Sequence, residues 1–288
     1  MIDVIMVTRG VGGCKRRPGW RIARVWCRPS NRTMVRADLI RFRAGVLAVS
    51  LLAASLAAQA AHPLLTDDTG TQGAGRWQLE LNTDHTRARA DGQSAWQKAV
   101  GTTLTHGVSD ALDVAVSAPW LQVSEPGEAR VRGLGDTTVQ AKWRFFENDE
   151  GWSLGLRPAL VLPSGSASKG LGNGRASASV ALISTLERGD WTWLANAGYT
   201  WNNNRVGDRR HLWALSSAVL YAASAQWSLA LDVGISRSAD QGVGHDKYGL
   251  IGAIFHAGKD VDLDLGWRRS LGGGPVVHTL GAGVTVRW

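Results

Sequence analysis

Hydrophobic and polar residues alternate one by one along most of residues 75–288, in segments of about ten residues separated by turn-forming residues. In the segment 191–202, for example, Trp193 and Tyr199 share one parity, whereas Asn196 and Thr200 share the other. Successive side chains of a β-strand point to opposite faces of the sheet, so this period of two predicts strands. No helical periodicity of useful length appears after residue 61. The pattern therefore predicts an all-β chain.

Twelve segments are predicted to be strands, and the connections between them alternate in length. The strands are 76–88, 97–106, 111–122, 136–146, 152–163, 175–187, 191–202, 210–221, 227–237, 247–256, 261–269 and 276–288. Connections after even-numbered strands are short (107–110, 147–151, 188–190, 222–226, 257–260), and most of the others are longer and rich in Gly, Asn, Ser and charge (124–135, 164–174, 238–246). Short periplasmic turns and longer external loops are typical of outer-membrane barrels. We therefore predict an antiparallel transmembrane β-barrel over 76–288 with about twelve strands, or ten or fourteen if segments merge or split.

Aromatic residues lie near both ends of the predicted strands. Those near the ends assigned to the periplasm are Trp77, Trp143, Phe145, Trp152, Trp191, Trp193, Tyr221, Trp227 and Trp288, and those near the external ends are Trp96, Trp120, Tyr199, Trp201, Trp213, Tyr248 and Trp267. Lipid-spanning barrels carry two such girdles at the membrane interfaces. The alternative, a soluble β-sandwich with core tryptophans, explains the alternation but neither the two belts nor the loop lengths. One segment, 247–256, is ambiguous because it is apolar on both faces.

The N-terminal part has the composition of a leader. Residues 34–60 contain a basic start, an apolar run from 44 to 58 and the small-x-small sequence 58–60, which together predict a signal peptide cleaved after Ala60. Residues 1–33 have no pattern of their own and are predicted to be an over-called N-terminal extension, with translation starting at Met34. A periplasmic N-terminal segment, 61–75, then precedes the barrel. These features predict a protein of the cell outer membrane.

The basic excess of the chain is confined to this leader. Residues 1–60 hold 11 Lys and Arg against 2 Asp and Glu, whereas the other 228 residues hold 21 against 22. The mature part is nearly neutral, so we predict no nucleic-acid partner. Both cysteines, Cys14 and Cys27, also lie in the leader, which leaves no disulfide framework, thiolate metal site or cysteine nucleophile.

Several stretches resemble one family. They are HPLLTDDTGTQGAGRWQLELN at 62–82, AKWRFFE at 141–147, LPSG at 162–165, KGLGNG at 169–174, GYTWN at 198–202 and DRRHLW at 208–213. The chain resembles a bacterial family described as outer-membrane transporters associated with phenol meta-cleavage degradation. The resemblance covers essentially all of 62–288, and TDDTGTQG is its most specific element. It implies a Gram-negative outer-membrane barrel and brings no catalytic motif.

Charged residues with the parity of the lumen are the main site candidates. The acidic ones are Glu80, Asp84, Asp113, Asp232, Asp262 and Asp264, and the basic ones are Lys142, Arg144, Arg157 and Arg268. Opposed charges inside a pore select permeants by charge. The alternative is that these groups pair across the lumen and fill a small barrel, since twelve strands lie between filled and water-filled barrels.

The motif Thr66, Asp67, Asp68, Thr69 and Gly70 is a second candidate. Its carboxylates could enter the barrel mouth as a small plug or hold a cation. The alternative is an ordinary structured turn, because Thr, Asp and Gly are turn formers. Two adjacent carboxylates rarely suffice for a metal site, so the turn is favoured.

Other chemistry has little support in the sequence. The seven histidines form no zinc-binding pair, no G-x-S-x-G motif marks a serine nucleophile, and KGLGNG lacks the ending of a phosphate-binding loop. We predict no cofactor and no enzyme activity. The leading hypothesis is a passive channel for small, aromatic or hydrophobic molecules. Alternatives are an outer-membrane lipid hydrolase and a structural or surface-interaction barrel with a filled lumen. Expected partners are outer-membrane lipid, a small-molecule permeant, periplasmic chaperones and the barrel-assembly machinery.

Overall fold

The structure, a computed structural model, describes residues 62–90, 92–272 and 275–288. The predicted N-terminal extension (1–33) and signal peptide (34–60) lie outside the described residues. None of the helical turns in the described ranges has the length or apolar character of a membrane-spanning helix.

Thirteen strands and one short helical turn make up the described chain. The strands are β1 (Trp77–Ala90), β2 (Gln93–Ser109), β3 (Leu112–Ser124), β4 (Val131–Leu134), β5 (Thr137–Glu147), β6 (Trp152–Leu162), β7 (Ser177–Arg188), β8 (Trp191–Trp201), β9 (His211–Ala222), β10 (Trp227–Arg237), β11 (His245–His256), β12 (Val261–Ser270) and β13 (Val276–Arg287). The single 3-10 turn is Ala167–Lys169, in the connection between β6 and β7.

Twelve of these strands form a closed antiparallel barrel. Each pairs with its neighbours along the chain, and β1 also pairs with β13 from Gln78↔Arg287 to Arg89↔Val276. Backbone hydrogen bonds between Trp77 and Trp288 end this seam, at 2.9 and 3.0 Å. Closure leaves no unpaired strand edge, which lipid could not satisfy. The predicted antiparallel barrel of about twelve strands is confirmed.

The thirteenth strand and the first hairpin are the main differences from the predicted elements. The short β4 adds to the external end of β3, between Trp120↔Leu134 and Val123↔Val131, within a connection predicted to be a loop. Pairing of β1 with β2 continues to Ala90↔Gln93, so the connection after β1 is two residues long. The short connections after β2, β5, β7, β9 and β11 match the predicted turns.

The barrel wall is polar inside and apolar outside. In β10, Leu231 and Val233 are 61% and 55% exposed, whereas Asp232 between them is fully buried. Glu80, Asp113 and other polar side chains dominate the buried set of the described residues. Apolar side chains on the outer surface are solvated by lipid tails, and polar side chains face the lumen.

Aromatic rings form contacts near both ends of the barrel. Trp191 lies 6.2 Å from Trp193 and 4.6 Å from Tyr221 at the end of the short turns. Near the other end, the Arg87 guanidinium lies 4.9 Å from the Trp96 ring centre. The assignment of Tyr248 to the external belt is wrong, because its side chain points into the lumen. It packs on Gly234, where a Cβ atom would collide with the tyrosine ring.

Candidate functional site

Residues 62–72, which we call the N-terminal segment, lie inside the barrel rather than outside it. The chain is fixed where it enters, because Gly75 N–H donates to Gly107 O (2.8 Å) and Gly107 N–H donates to Arg76 O (2.9 Å). The contact requires glycine at 107, since a Cβ atom there would overlap the carbonyl of Gly73. Of the stretch expected to be periplasmic, 61–75, residues 62–72 therefore lie in the lumen.

Asp232 of β10 binds the backbone of the segment. Its carboxylate accepts hydrogen bonds from Leu65 N–H (2.7 Å), Thr66 N–H (2.9 Å) and the Thr66 hydroxyl (2.7 Å). The Tyr248 hydroxyl donates a fourth, at 2.9 Å. A buried carboxylate is tolerated when several donors satisfy it. Asp232 therefore accepts the backbone hydrogen bonds that a neighbouring strand would accept if this part of the chain were in a sheet.

Asp67 forms the ionic contact of the segment with the opposite wall. Its carboxylate lies 3.0 Å from Arg157 Nη1 and 3.5 Å from Lys142 Nζ, and its side chain is 1% exposed. Lys142 also reaches Asp68, at 3.5 Å. The Asn196 amide, oriented with its oxygen towards Asp67, accepts from the Asp67 N–H (2.7 Å) and donates to its carbonyl (3.0 Å). The two carboxylates of the motif thus bind basic side chains of the wall.

The remaining motif residues make local or wall contacts. Thr69 donates its N–H to Thr185 Oγ1 (3.0 Å), and its hydroxyl lies 2.6 Å from Ser153 Oγ. Gly70 N–H donates to Asp68 Oδ1 (2.6 Å), which is a turn hydrogen bond. Thr66, Asp67 and Thr69 are therefore buried inside the barrel, whereas Asp68 and Gly70 form an exposed turn.

The tip of the segment reaches the seam side of the barrel. His62 hydrogen-bonds Asp264 and lies 3.8 Å from Asp84. Pro63 packs against Gly252, where the wall has no side chain. A Cβ atom at this position would lie 2.5 Å from Pro63 Cγ. Glycine in a strand often marks such a close approach of another chain segment.

Apolar packing completes the fit and explains the ambiguous strand. Leu64 is 3% exposed and packs with Leu194, Ala218, Ala230 and Leu250. The inward face of β11 is apolar at Leu250 because it contacts the N-terminal segment, whereas its outward face is apolar because it contacts lipid.

Six of the ten predicted lumen charges contact the segment. Asp84, Lys142, Arg157, Asp232 and Asp264 do so as described, and the sixth, Asp113, accepts Gln72 N–H at 3.0 and 3.1 Å. The other four lie elsewhere on the inner wall. Glu80 is buried, Arg144 binds Glu147 (3.2 Å), Asp262 binds Arg287 (2.7 Å), and Arg268 donates to Thr279 Oγ1 (3.3 Å).

A polar relay near the short turns was not predicted. Ser228 Oγ lies 3.0 Å from His256 Nε2, and His256 Nδ1 lies 2.7 Å from Asp262 Oδ1. The three residues come from β10, β11 and β12, so only the strand register brings them together. Their order matches that of a serine-hydrolase triad. The same Asp262 also accepts from Arg287.

An open cavity of about 150 Å³ lies on the external side of the segment. Leu65, Arg157 and Asn196 line it where it meets the segment, and Tyr248 and Arg268 are in its wall. Loop residues line its outer part and are held in place by Arg209, which donates to Ser238 O (2.9 Å) and to the carbonyls of the 240–243 stretch. The lumen is thus filled on one side and open on the other.

The comparisons with known proteins agree with this architecture. The model of the family described as "putative MetA-pathway of phenol degradation" matches residues 50–288. The chain belongs to this family. No curated protein sequence matches the chain.

Solved structures with similar folds are outer-membrane barrels. An outer membrane channel from Pseudomonas putida F1 aligns with a TM-score of 0.65 and 18% identity, over 77% of this chain and 98% of that one. KdgM porin aligns with a TM-score of 0.48 and 9% identity, over 72% and 98% of the two chains. The translocator domain of the autotransporter NalP from Neisseria meningitidis gives 0.47 and 13%, over 89% and 97%. The likeness to the Pseudomonas putida barrel shows that this family member has the fold of an outer-membrane β-barrel.

Proposed function

We propose that this protein is a passive outer-membrane channel for small solutes, in which the N-terminal segment controls passage. The observation that carries the proposal is that the N-terminal segment, and not side chains of the wall, fills the lumen. The segment is held by hydrogen bonds, ion pairs and packing, as at Asp232 and Asp67. Such contacts can break and re-form, and the wall behind them is polar.

The nature of the wall supports a channel over a structural barrel. A barrel that serves only as a scaffold can fill its lumen with wall side chains. Here, inward positions facing the segment include Ala218, Ala230 and Gly252, which leave the space that the segment occupies. Withdrawal of the segment would therefore open a lumen with a polar lining and an external cavity in line with it.

Small aromatic or apolar solutes are the class we favour. The external cavity is lined by Leu65, Leu271, Pro275 and Val277 among polar groups. The family description associates its members with phenol degradation, and the Pseudomonas putida barrel of similar fold is an outer membrane channel. Solute would move down its gradient.

Single-channel recording in planar bilayers tests this proposal. The intact mature chain should give small or brief conductance steps, and a variant lacking residues 62–72 should give larger and longer ones. A matched variant shortened in the mostly exposed external connection 125–130 should keep the conductance of the intact chain. Silence of both the intact chain and the segment deletion would reject the channel and favour the structural barrel.

A hydrolase is the second candidate, because Ser228, His256 and Asp262 have the order of a triad. We expect no activity from them. Strand N–H groups lie in the plane of the sheet and pair with neighbouring strands, so they are poorly placed to stabilise an oxyanion in the lumen. A fluorophosphonate probe should leave the protein unlabelled, and labelling that is lost in Ser228→Ala would establish the hydrolase instead.

A further inference from the structure

The wall of the external cavity is a smooth surface of small residues. One cross-strand row runs from Arg157 on β6 through Ala181, Gly198, Ala214 and Ser236 to Asp246 on β11, and every member lines the cavity. Short side chains here leave space that larger ones would fill. At Gly198, a Cβ atom would meet its nearest neighbour only at 3.8 Å. Room for a small molecule is therefore built into the wall.

The charges around this space are mostly positive. Arg157, Arg268 and Lys247 line the cavity, and Asp246 is its one lining carboxylate among the described residues. Lys247 is exposed at the rim. A guanidinium is always charged and carries five N–H donors in a planar fork.

Arg268 has the donors that a ligand would use. Its guanidinium donates to Thr279 Oγ1, at 3.3 Å. Arg157, in contrast, is already bound to Asp67 at 3.0 Å. Arg268 is therefore the better anchor for an acceptor group that enters the cavity.

We propose that the external cavity binds a small organic monoanion with an apolar body, its carboxylate on Arg268. The apolar body would lie against Leu65, Leu271 and Val277. A carboxylate matches the guanidinium fork and makes charge-assisted hydrogen bonds. This proposal rests on the proposed function, since it names the solute class that the channel takes up.

Asp246 gives the site a preference for one negative charge over two. Its Oδ2 atom is buried and has no hydrogen-bond partner among the described residues. A second carboxylate at the far end of the ligand, para to the first, would point towards this oxygen, because Asp246 lies four residues along β11 from Leu250, the partner of Arg268, or about 13 Å. Like charges repel strongly in a partly buried site. A hydroxyl or N–H group at the same place could donate to it.

Isothermal titration calorimetry on the intact chain in detergent tests the proposal, with benzoate, benzyl alcohol and terephthalate as probes. Benzoate should bind about tenfold or more tightly than benzyl alcohol, because a hydrogen bond to a charged group adds that much. Terephthalate should bind more weakly than benzoate, and Asp246→Asn should remove this difference.

The key variant is Arg268→Gln, which should weaken benzoate binding about tenfold or more and leave benzyl alcohol unchanged. Arg269→Gln is the matched control, since the next side chain along β12 is exposed on the outside. Arg268→Lys, which keeps the charge, should retain part of the affinity and guards against a folding defect. Heat-modified mobility on gels checks that each barrel is folded.

Equal affinities for benzoate and benzyl alcohol, or an Arg268→Gln variant that binds like the intact chain, would overturn the proposal. So would the absence of benzoate binding. Conductance recorded on the same preparations separates this result from the channel itself. Conductance without benzoate binding rejects only the anion site, and benzoate binding in a silent barrel rejects only the channel.

Discussion

The two halves of the lumen share strands but not surroundings. On the side of the short turns, Asp232 accepts four hydrogen bonds from the N-terminal segment and Tyr248. On the external side, Asp246 of the neighbouring strand keeps a buried oxygen without a partner among the described residues. Both are inward carboxylates on paired strands. Strand parity therefore places a charge in the lumen. Whether that charge binds the N-terminal segment or faces the external cavity depends on which part of the chain lies opposite to it.

The largest effect on this difference should come from Asp67→Ala. Removing one partner of a buried ion pair costs about 3–5 kcal/mol, because Arg157 stays buried without it. We expect the segment to leave the lumen much more often. In a Leu64→Cys background, where the new thiol is buried as long as the segment is in place, maleimide labelling should accelerate more than about a hundredfold.

Asp68→Ala is the matched control for that variant. Its carboxylate is 40% exposed and lies 3.5 Å from Lys142, and pairs of this kind contribute about 0.2–1 kcal/mol. Labelling at position 64 should therefore change only a few-fold. Similar acceleration in the two variants would show that the buried contact with Arg157 does not hold the segment.

A smaller effect is expected when Asp232 keeps its charge but loses a donor. Thr66→Val removes the hydrogen bond of 2.7 Å from the Thr66 hydroxyl to Asp232, whereas the two from backbone N–H groups of the segment and the one from Tyr248 remain. The loss should be about 1–3 kcal/mol, since the acceptor is buried. Labelling at position 64 in the same background should rise about tenfold, and Tyr199→Phe, whose ring is exposed at the outer surface, should leave it unchanged.

Gly252→Ala and Gly198→Ala compare the two halves with one chemical change. A methyl group at 252 would crowd Pro63, and overpacking of this kind costs about 1–3 kcal/mol. A methyl group at 198 would enter the external cavity at ordinary contact distances. Only the first should release the segment. Equal labelling rates in the two variants would mean that Pro63 does not depend on the space above Gly252.

The smallest effect should come from the rim. Arg76 lies 3.4 Å from Asp260, with side chains 54% and 33% exposed, and such a pair contributes about 0–1 kcal/mol. Arg76→Ala should leave both the labelling rate at position 64 and the urea midpoint of the barrel in lipid vesicles almost unchanged. A large loss would place the anchor of the segment at its entrance rather than along its length.

The wall could be predicted from the sequence because alternation and turn residues are local signals. Strands such as β10 have their predicted bounds, 227–237. The short β4 was missed because four residues in a loop, one of them Gly133, have too little alternation to recognise.

The position of the N-terminal segment could not be predicted in the same way. Its partners are far away in sequence, as for Thr66 and Asp232, which are 166 residues apart. The segment has no period, since each residue finds its own partner. Two signals were present, namely the inward apolar residues of 247–256 and an excess of lumen charges, but neither names the group that they contact. The relay from Ser228 to Asp262 needed the strand register as well.

The seam between β1 and β13 has a consequence for the order of assembly. Because Trp77 bonds to Trp288, the cylinder cannot close until β13 lies beside β1. The stretch that fills the lumen is joined directly to β1, beside the last gap to disappear. It can enter the barrel through that gap while the sheet is still open. Closure of the seam and filling of the lumen would then occur together, late in assembly.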